Sequence, residues 1–127
     1  MKSRLKIFNL DEANALLPEV ESRLAQLEAK QEAFRRLHDE LFFEELLDGT
    51  PPSESRLKQL EETLVDLEEE IGKVHRLGCL LRHSERGLVD FLAQRDEEQV
   101  YYCWKRGEKQ IQFYHSLRGG FFERRPI

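Results

Sequence analysis

Apolar residues in the first two-thirds of the chain recur at alternating spacings of three and four. Val20, Leu24, Leu27, Gln31, Phe34, His38 and Leu41 form one ladder; Leu57, Leu60, Leu64, Leu67, Ile71, Val74 and Gly78 form a second. Such spacing puts each set on one stripe of an α-helix. The ladders mirror each other about Gly49, so that Leu41 pairs with Leu57, Phe34 with Leu64, Leu27 with Ile71 and Val20 with Gly78. One register aligns every rung, which predicts an antiparallel, coiled-coil-like helical hairpin. Gln31 and His38 interrupt the seam, as polar residues that fix a register do.

The punctuation agrees with this pattern. Asn9 and Glu12 have the spacing of a capping box. Asp48-Gly49-Thr50-Pro51-Pro52-Ser53 is a dense loop signal, and its last residue can cap the second helix. Pro18 is expected to break the first helix, leaving a short segment before the long one. The long helix is expected to run to about Leu47, and the second to Leu77 with Gly78 as its stop. Ahead of all this, Leu5, Lys6 and Ile7 alternate like a short strand.

After Gly78 the period changes to two. Val89, Phe91 and Ala93, then Val100, Tyr102 and Trp104, then Ile111, Phe113 and His115 alternate with their neighbours, as half-buried strands do. A two-residue turn at Arg106-Gly107 would pair Tyr102 with Ile111 and Val100 with Phe113. In that register Cys103 and His115 point to opposite faces. The tail from Phe121 to Ile127 is expected to pack back. The predicted fold is therefore α+β and mainly α, a long helical hairpin followed by a small antiparallel sheet of three or four strands. It is one domain over 1–127, with the hairpin in 1–78 and the β lobe in 79–127.

Charge changes the picture in one respect. The net charge is −5. Residues 1–78 hold 11 basic and 18 acidic side chains, giving −7, whereas 79–127 hold 9 and 7, giving +2. An acidic hairpin repels phosphate backbones, so nucleic acid is not an expected partner of it. No run approaches the roughly 20 apolar residues of a membrane span. Two cysteines are too few for a disulfide framework, and no secretory signal is visible, so a cytoplasmic setting is expected.

One cluster exceeds what a lone hairpin can cover. Phe42, Phe43, Leu46 and Leu47 crowd the helix tip beyond the seam, beside Phe34, Leu41 and Leu57. Leaving them wet forfeits several kcal/mol at about 25 cal/mol per Å². These residues are expected to form an association surface, with a homodimer as the assembly.

Candidate chemistry is sparse. Cys79, His83, Cys103 and His115 are the right types for zinc, but neither pair has the spacing of a metal knuckle. No metal and no cofactor are expected. Asp90, Trp104, Glu108, His115, Arg124 and Arg125 form a candidate ligand-binding set, because a carboxylate beside a histidine can tune a proton. Arg118-Gly119-Gly120 and Arg124-Arg125, with Tyr101, Trp104 and Tyr114, offer an alternative anion or nucleic-acid site. There is no nucleophile elbow and no phosphate loop, so no catalytic residue is assigned.

Certain residues resemble a known family. They are Leu10-Asp11-Glu12-Ala13-Asn14-Ala15-Leu16-Leu17-Pro18, Gly78-Cys79 and Gly87-Leu88-Val89-Asp90-Phe91. Val100-Tyr101-Tyr102-Cys103-Trp104, Gly107-Glu108, His115, Gly120-Phe121 and Arg125-Pro126-Ile127 continue the string. Together they look like the bacterial family called domain of unknown function 2203, over nearly the whole chain. Asn9, Tyr102 and Tyr114 depart slightly from its usual pattern. The resemblance implies a small prokaryotic protein without an assigned activity, and supplies no catalytic residues. The expected function is a non-enzymatic interaction or ligand-binding module that self-associates through its hairpin, with an unidentified protein or small-molecule partner.

Overall fold

The computed structural model describes residues 5–127 and holds two long helices and a five-stranded antiparallel sheet. Helix α1 spans Leu10–Asp48 and α2 spans Glu54–His75. The strands are β1 (Leu80–His83), β2 (Leu88–Arg95), β3 (Glu98–Lys105), β4 (Phe113–Ser116) and β5 (Arg125–Pro126), ordered β1-β2-β3-β4-β5. Of these, β1 and β5 exceed what the sequence pattern predicted.

The capping box closes as expected. The Glu12 N–H donates to Asn9 Oδ1 at 2.8 Å, and the Asn9 N–H donates to Glu12 Oε1 at 3.0 Å. Gly49 ends α1 in the left-handed conformation, and the Ser53 hydroxyl caps α2 by accepting from the Arg56 N–H. Two cross-hairpin ion pairs, Arg56–Glu40 at 2.8 Å and Lys30–Asp66 at 3.8 Å, follow the mirror about Gly49 to within two residues.

Pro18 does not break α1, which is continuous across it. A proline inside a helix costs about 3 kcal/mol through a lost N–H and a clash. Pro18 is exposed, however, while Ala13, Leu17, Val20 and Leu24 are buried on the other side. Burial contributes about 1.5–3 kcal/mol for each of the larger side chains, so packing wins. α2 ends at His75, two residues before the expected end at Leu77.

The core sits at the base of the hairpin. One face of the sheet, with Val89, Phe91, Ala93, Val100, Tyr102 and Trp104, packs against buried residues of both helices. The expected strand at Leu5–Ile7 is replaced by a single parallel bridge between Phe8 and Ala93, with Phe8 edge-on to Phe91 at 5.2 Å. Gly78 lets the chain leave α2, since its φ is +99° and a Cβ there would meet Lys6 Cβ at 2.9 Å. Arg106 ties the β lobe to α1 through Glu21 at 2.7 Å and Glu28 at 2.9 Å.

The register of β3 and β4 differs from the predicted one. Tyr102 faces Tyr114, not Ile111, and Val100 faces Ser116, not Phe113. The cause lies outside the sheet. The Ile111 N–H donates to Asn14 Oδ1 on α1 at 2.7 Å, and the Ile111 side chain is buried in the core. The connection therefore detours to the helix and consumes residues that a tight turn would have left in the strand. A slip by an odd number of residues exchanges the faces of a strand. Cys103 and His115 consequently share a face.

Candidate functional site

The sheet face turned away from the helices carries Asp90 from β2, Tyr101 and Cys103 from β3, and Phe113 and His115 from β4. Asp90 lies directly opposite Cys103, and His115 opposite Tyr101. Asp90 and His115 reach over β3 to meet, with Asp90 Oδ2 and His115 Nε2 3.0 Å apart. Asp90, Cys103 and His115 are all buried. Arg82 of β1 donates from Nε to the same carboxylate oxygen at 2.9 Å and lies over the Tyr101 ring at 4.9 Å.

His115 is held at both nitrogens. Its Nδ1 lies 2.7 Å from the Ser116 carbonyl, and its Nε2 faces the carboxylate. Neither ring nitrogen is free to exchange a proton with a bound molecule. Burial, with Asp90 adding to it and Arg124 opposing, pushes the Cys103 thiol up to about 12. A thiol so held is a poor nucleophile.

The remaining predicted ligand residues separate into other roles. Arg124 Nη1 binds Glu108 at 3.0 and 3.1 Å, and its guanidinium is sandwiched against Phe113 and Phe121. Glu108 also accepts the Lys105 N–H at 2.7 Å, and its carbonyl accepts from Trp104 Nε1 at 2.9 Å. Trp104 points into the helix-facing core, and Arg125 is exposed on β5. The candidate set is thus two internal pairs, Asp90–His115 and Glu108–Arg124, with Cys103 lying between Asp90 and Arg124. The Cys79/His83/Cys103/His115 quartet does not assemble, since Cys79 Sγ donates to the Val74 carbonyl and His83 accepts the Arg86 N–H. Arg82 and Cys103 are the members that sequence reasoning did not place here. The correct β3–β4 register would have revealed Cys103; nothing local marks Arg82.

The association residues sit elsewhere. Leu41 is buried within the seam and is not available to a partner, which corrects its expected role. Phe34 is half-buried in a cleft of about 990 Å³ between the hairpin and the β1–β2 connection. That cleft also contains Gln31 and Ser84, hydrogen-bonded at 2.6 Å, and His38, stacked on Phe34. Phe42, Phe43, Leu46 and Leu57 are exposed.

No helix among the described residues is long and apolar enough to cross a membrane. No curated protein and no solved structure matches the chain. The model of one family, described as an uncharacterized conserved protein (DUF2203), matches residues 6–127, and the chain belongs to that family.

Proposed function

We propose that this protein is a non-enzymatic, cytoplasmic interaction module that self-associates through the distal half of its helical hairpin. One observation carries the reading. Between residues 28 and 69, the distal half of the hairpin, Leu41 alone is buried. The seam residues Leu57 and Leu64 are 45% and 41% exposed, and Phe42 and Leu46 beside them 55% and 64%.

The exposed residues are not scattered. At 3.6 residues per turn, Phe42 and Leu46 fall on the opposite edge of the α1 stripe from Lys30 and Glu40. Leu57 and Leu64 likewise fall on the opposite edge of the α2 stripe from Arg56 and Asp66. The ion pairs Arg56–Glu40 and Lys30–Asp66 therefore close one side of the hairpin, and the apolar residues line the other. That is the surface of half a four-helix bundle.

A second copy of this chain is the occupant that fits. With Phe43, next to Leu46 around α1, the stripe exposes roughly 500 Å² of apolar surface per chain, and two such faces together reach the about 1,000 Å² that a specific interface needs, while Leu47 lies on the Glu40 side. Twofold pairing sets Phe and Leu of one copy against the same residues of the other. The two free buried thiols, Cys79 and Cys103, suit a reducing compartment.

Sedimentation velocity tests this. The wild-type chain is expected to run as a dimer, and a Phe42→Ser/Phe43→Ser variant with unchanged circular dichroism as a monomer. A wild-type monomer, or a variant that stays dimeric, overturns the reading.

A further inference from the structure

We propose that Asp90, Cys103 and His115 form a binding site for one divalent metal ion of the zinc type, whether or not the hairpin self-associates. Their ligand atoms all lie within 4.8 Å of one another, and they are the one such group of three among the described residues. They come from three neighbouring strands, β2, β3 and β4, so the pairing of those strands fixes their spacing.

Two further observations point to a cation. The first is the orientation of His115. With Nδ1 2.7 Å from the Ser116 carbonyl, the ring carries its proton there. The other nitrogen, Nε2, faces the Asp90 carboxylate at 3.0 Å. A positive centre, a proton or a metal ion, joins two such groups at that distance. A histidine whose Nδ1–H is anchored on a backbone carbonyl, with Nε2 aimed at other ligand atoms, has the orientation of a metal ligand.

The second is the Asp90 carboxylate itself. Its Oδ2 is held by Arg82 and His115, but Oδ1 has no hydrogen-bond partner although the side chain is only 2% exposed. An orphaned carboxylate oxygen in a buried site carries an uncompensated desolvation penalty. A metal ion bound to Oδ1 satisfies it.

The donor types select the metal. One thiolate sulfur, one imidazole nitrogen and one carboxylate oxygen suit zinc or cobalt rather than magnesium or calcium, which take oxygen. Three protein ligands leave the fourth position of a tetrahedral ion for water or an external donor. On binding, the sulfur–hydrogen bond of Cys103 is replaced by a sulfur–metal bond and the proton leaves to solvent. The Arg82 side chain, 42% exposed, donates to the Asp90 carboxylate at 2.9 Å and holds it in place. Arg124 lies beside Cys103 and is paired with Glu108 at 3.0 Å, so its charge is offset next to the site.

The test uses the full chain stripped with a chelator. Co²⁺ alone is then added and followed by absorption. The expected result is one Co²⁺ per chain with a thiolate-to-cobalt charge-transfer band, displaced by Zn²⁺. Cys103→Ser is expected to lose the band and to weaken binding at least about 100-fold, since even outer partners of metal ligands are worth 10–100-fold. Cys79→Ser is expected to keep both. Should Cys103→Ser fail to fold, X-ray absorption on the unmutated zinc form decides, with one sulfur at about 2.3 Å and nitrogen or oxygen at about 2.0 Å expected. A folded chain that retains no ion overturns the proposal, in which case a proton alone joins His115 to Asp90. A sulfur-free metal shell, or a band that survives in folded Cys103→Ser, overturns it as well.

Discussion

Cys79 and Cys103 are both buried thiols, yet their neighbours give them different chemistry. Cys103 sits among Asp90, His115 and Arg124, whereas Cys79 sits in the apolar core with its thiol donating to the Val74 carbonyl at 3.6 Å. Burial pushes the Cys79 thiol up from 9.0 to about 11. Below pH 9 both the folded and the unfolded chain keep the proton, and the contribution of Cys79 to stability is complete. Between pH 9 and about 11 the unfolded chain ionises first, so that contribution is lost. Urea unfolding of wild type and Cys79→Ala across this range checks it. The stability gap between them is expected to narrow by on the order of 2 kcal/mol. A gap independent of pH would show that the thiol is not held in this way. At this scale the sequence grouped Asp90 and His115 as members of one polar candidate set, a carboxylate and a histidine on predicted strands with a third between them. It could not join Cys103 to them, since one hydrogen bond from the Ile111 N–H to Asn14 decides which face His115 occupies.

Elements that rest on local pattern were legible; those that rest on a distant contact were not. The hairpin announces itself because seven rungs in each ladder, two caps and a proline-glycine loop all agree. The β2–β3 pair follows from alternation alone. The β3–β4 register depends on α1, which lies almost a hundred residues earlier, and no turn rule contains that information. α1 shows the reverse case, in which a strong local signal lost to packing. Pro18 forfeits a backbone hydrogen bond on the exposed side of a helix whose other side is buried. Pro18→Ala is therefore expected to raise stability by about 2 kcal/mol. That is the helix-interior penalty of proline less its benefit in restricting the unfolded chain. Chemical denaturation measures it. An unchanged or lowered midpoint would mean that the backbone geometry Pro18 imposes is itself needed to seat α1 on the sheet.

For the molecule as a whole, charge and apolar surface oppose each other at the hairpin tip. Residues 39–65 hold 8 acidic and 2 basic side chains, giving −6, around the exposed Phe42, Phe43, Leu46, Leu47, Leu57 and Leu64. Two copies that meet there bring like charges together, so the apolar contact has to overcome a repulsion. Salt separates the two contributions. Exposed charges are screened over a Debye length of about 10 Å at 0.1 M and about 3 Å at 1 M, while apolar burial is not weakened by salt. Dimerisation through this tip is therefore expected to tighten several-fold as sodium chloride rises from about 0.05 M to about 0.5 M. A cationic helix docking on the same surface would bind less well over that range, because its attraction is screened. Sedimentation of the wild-type chain alone across the series distinguishes the driving forces. Association that strengthens with salt matches an apolar tip held apart by its own acid. Association that weakens would place the contact on ion pairs instead, and so away from the Phe42 stripe.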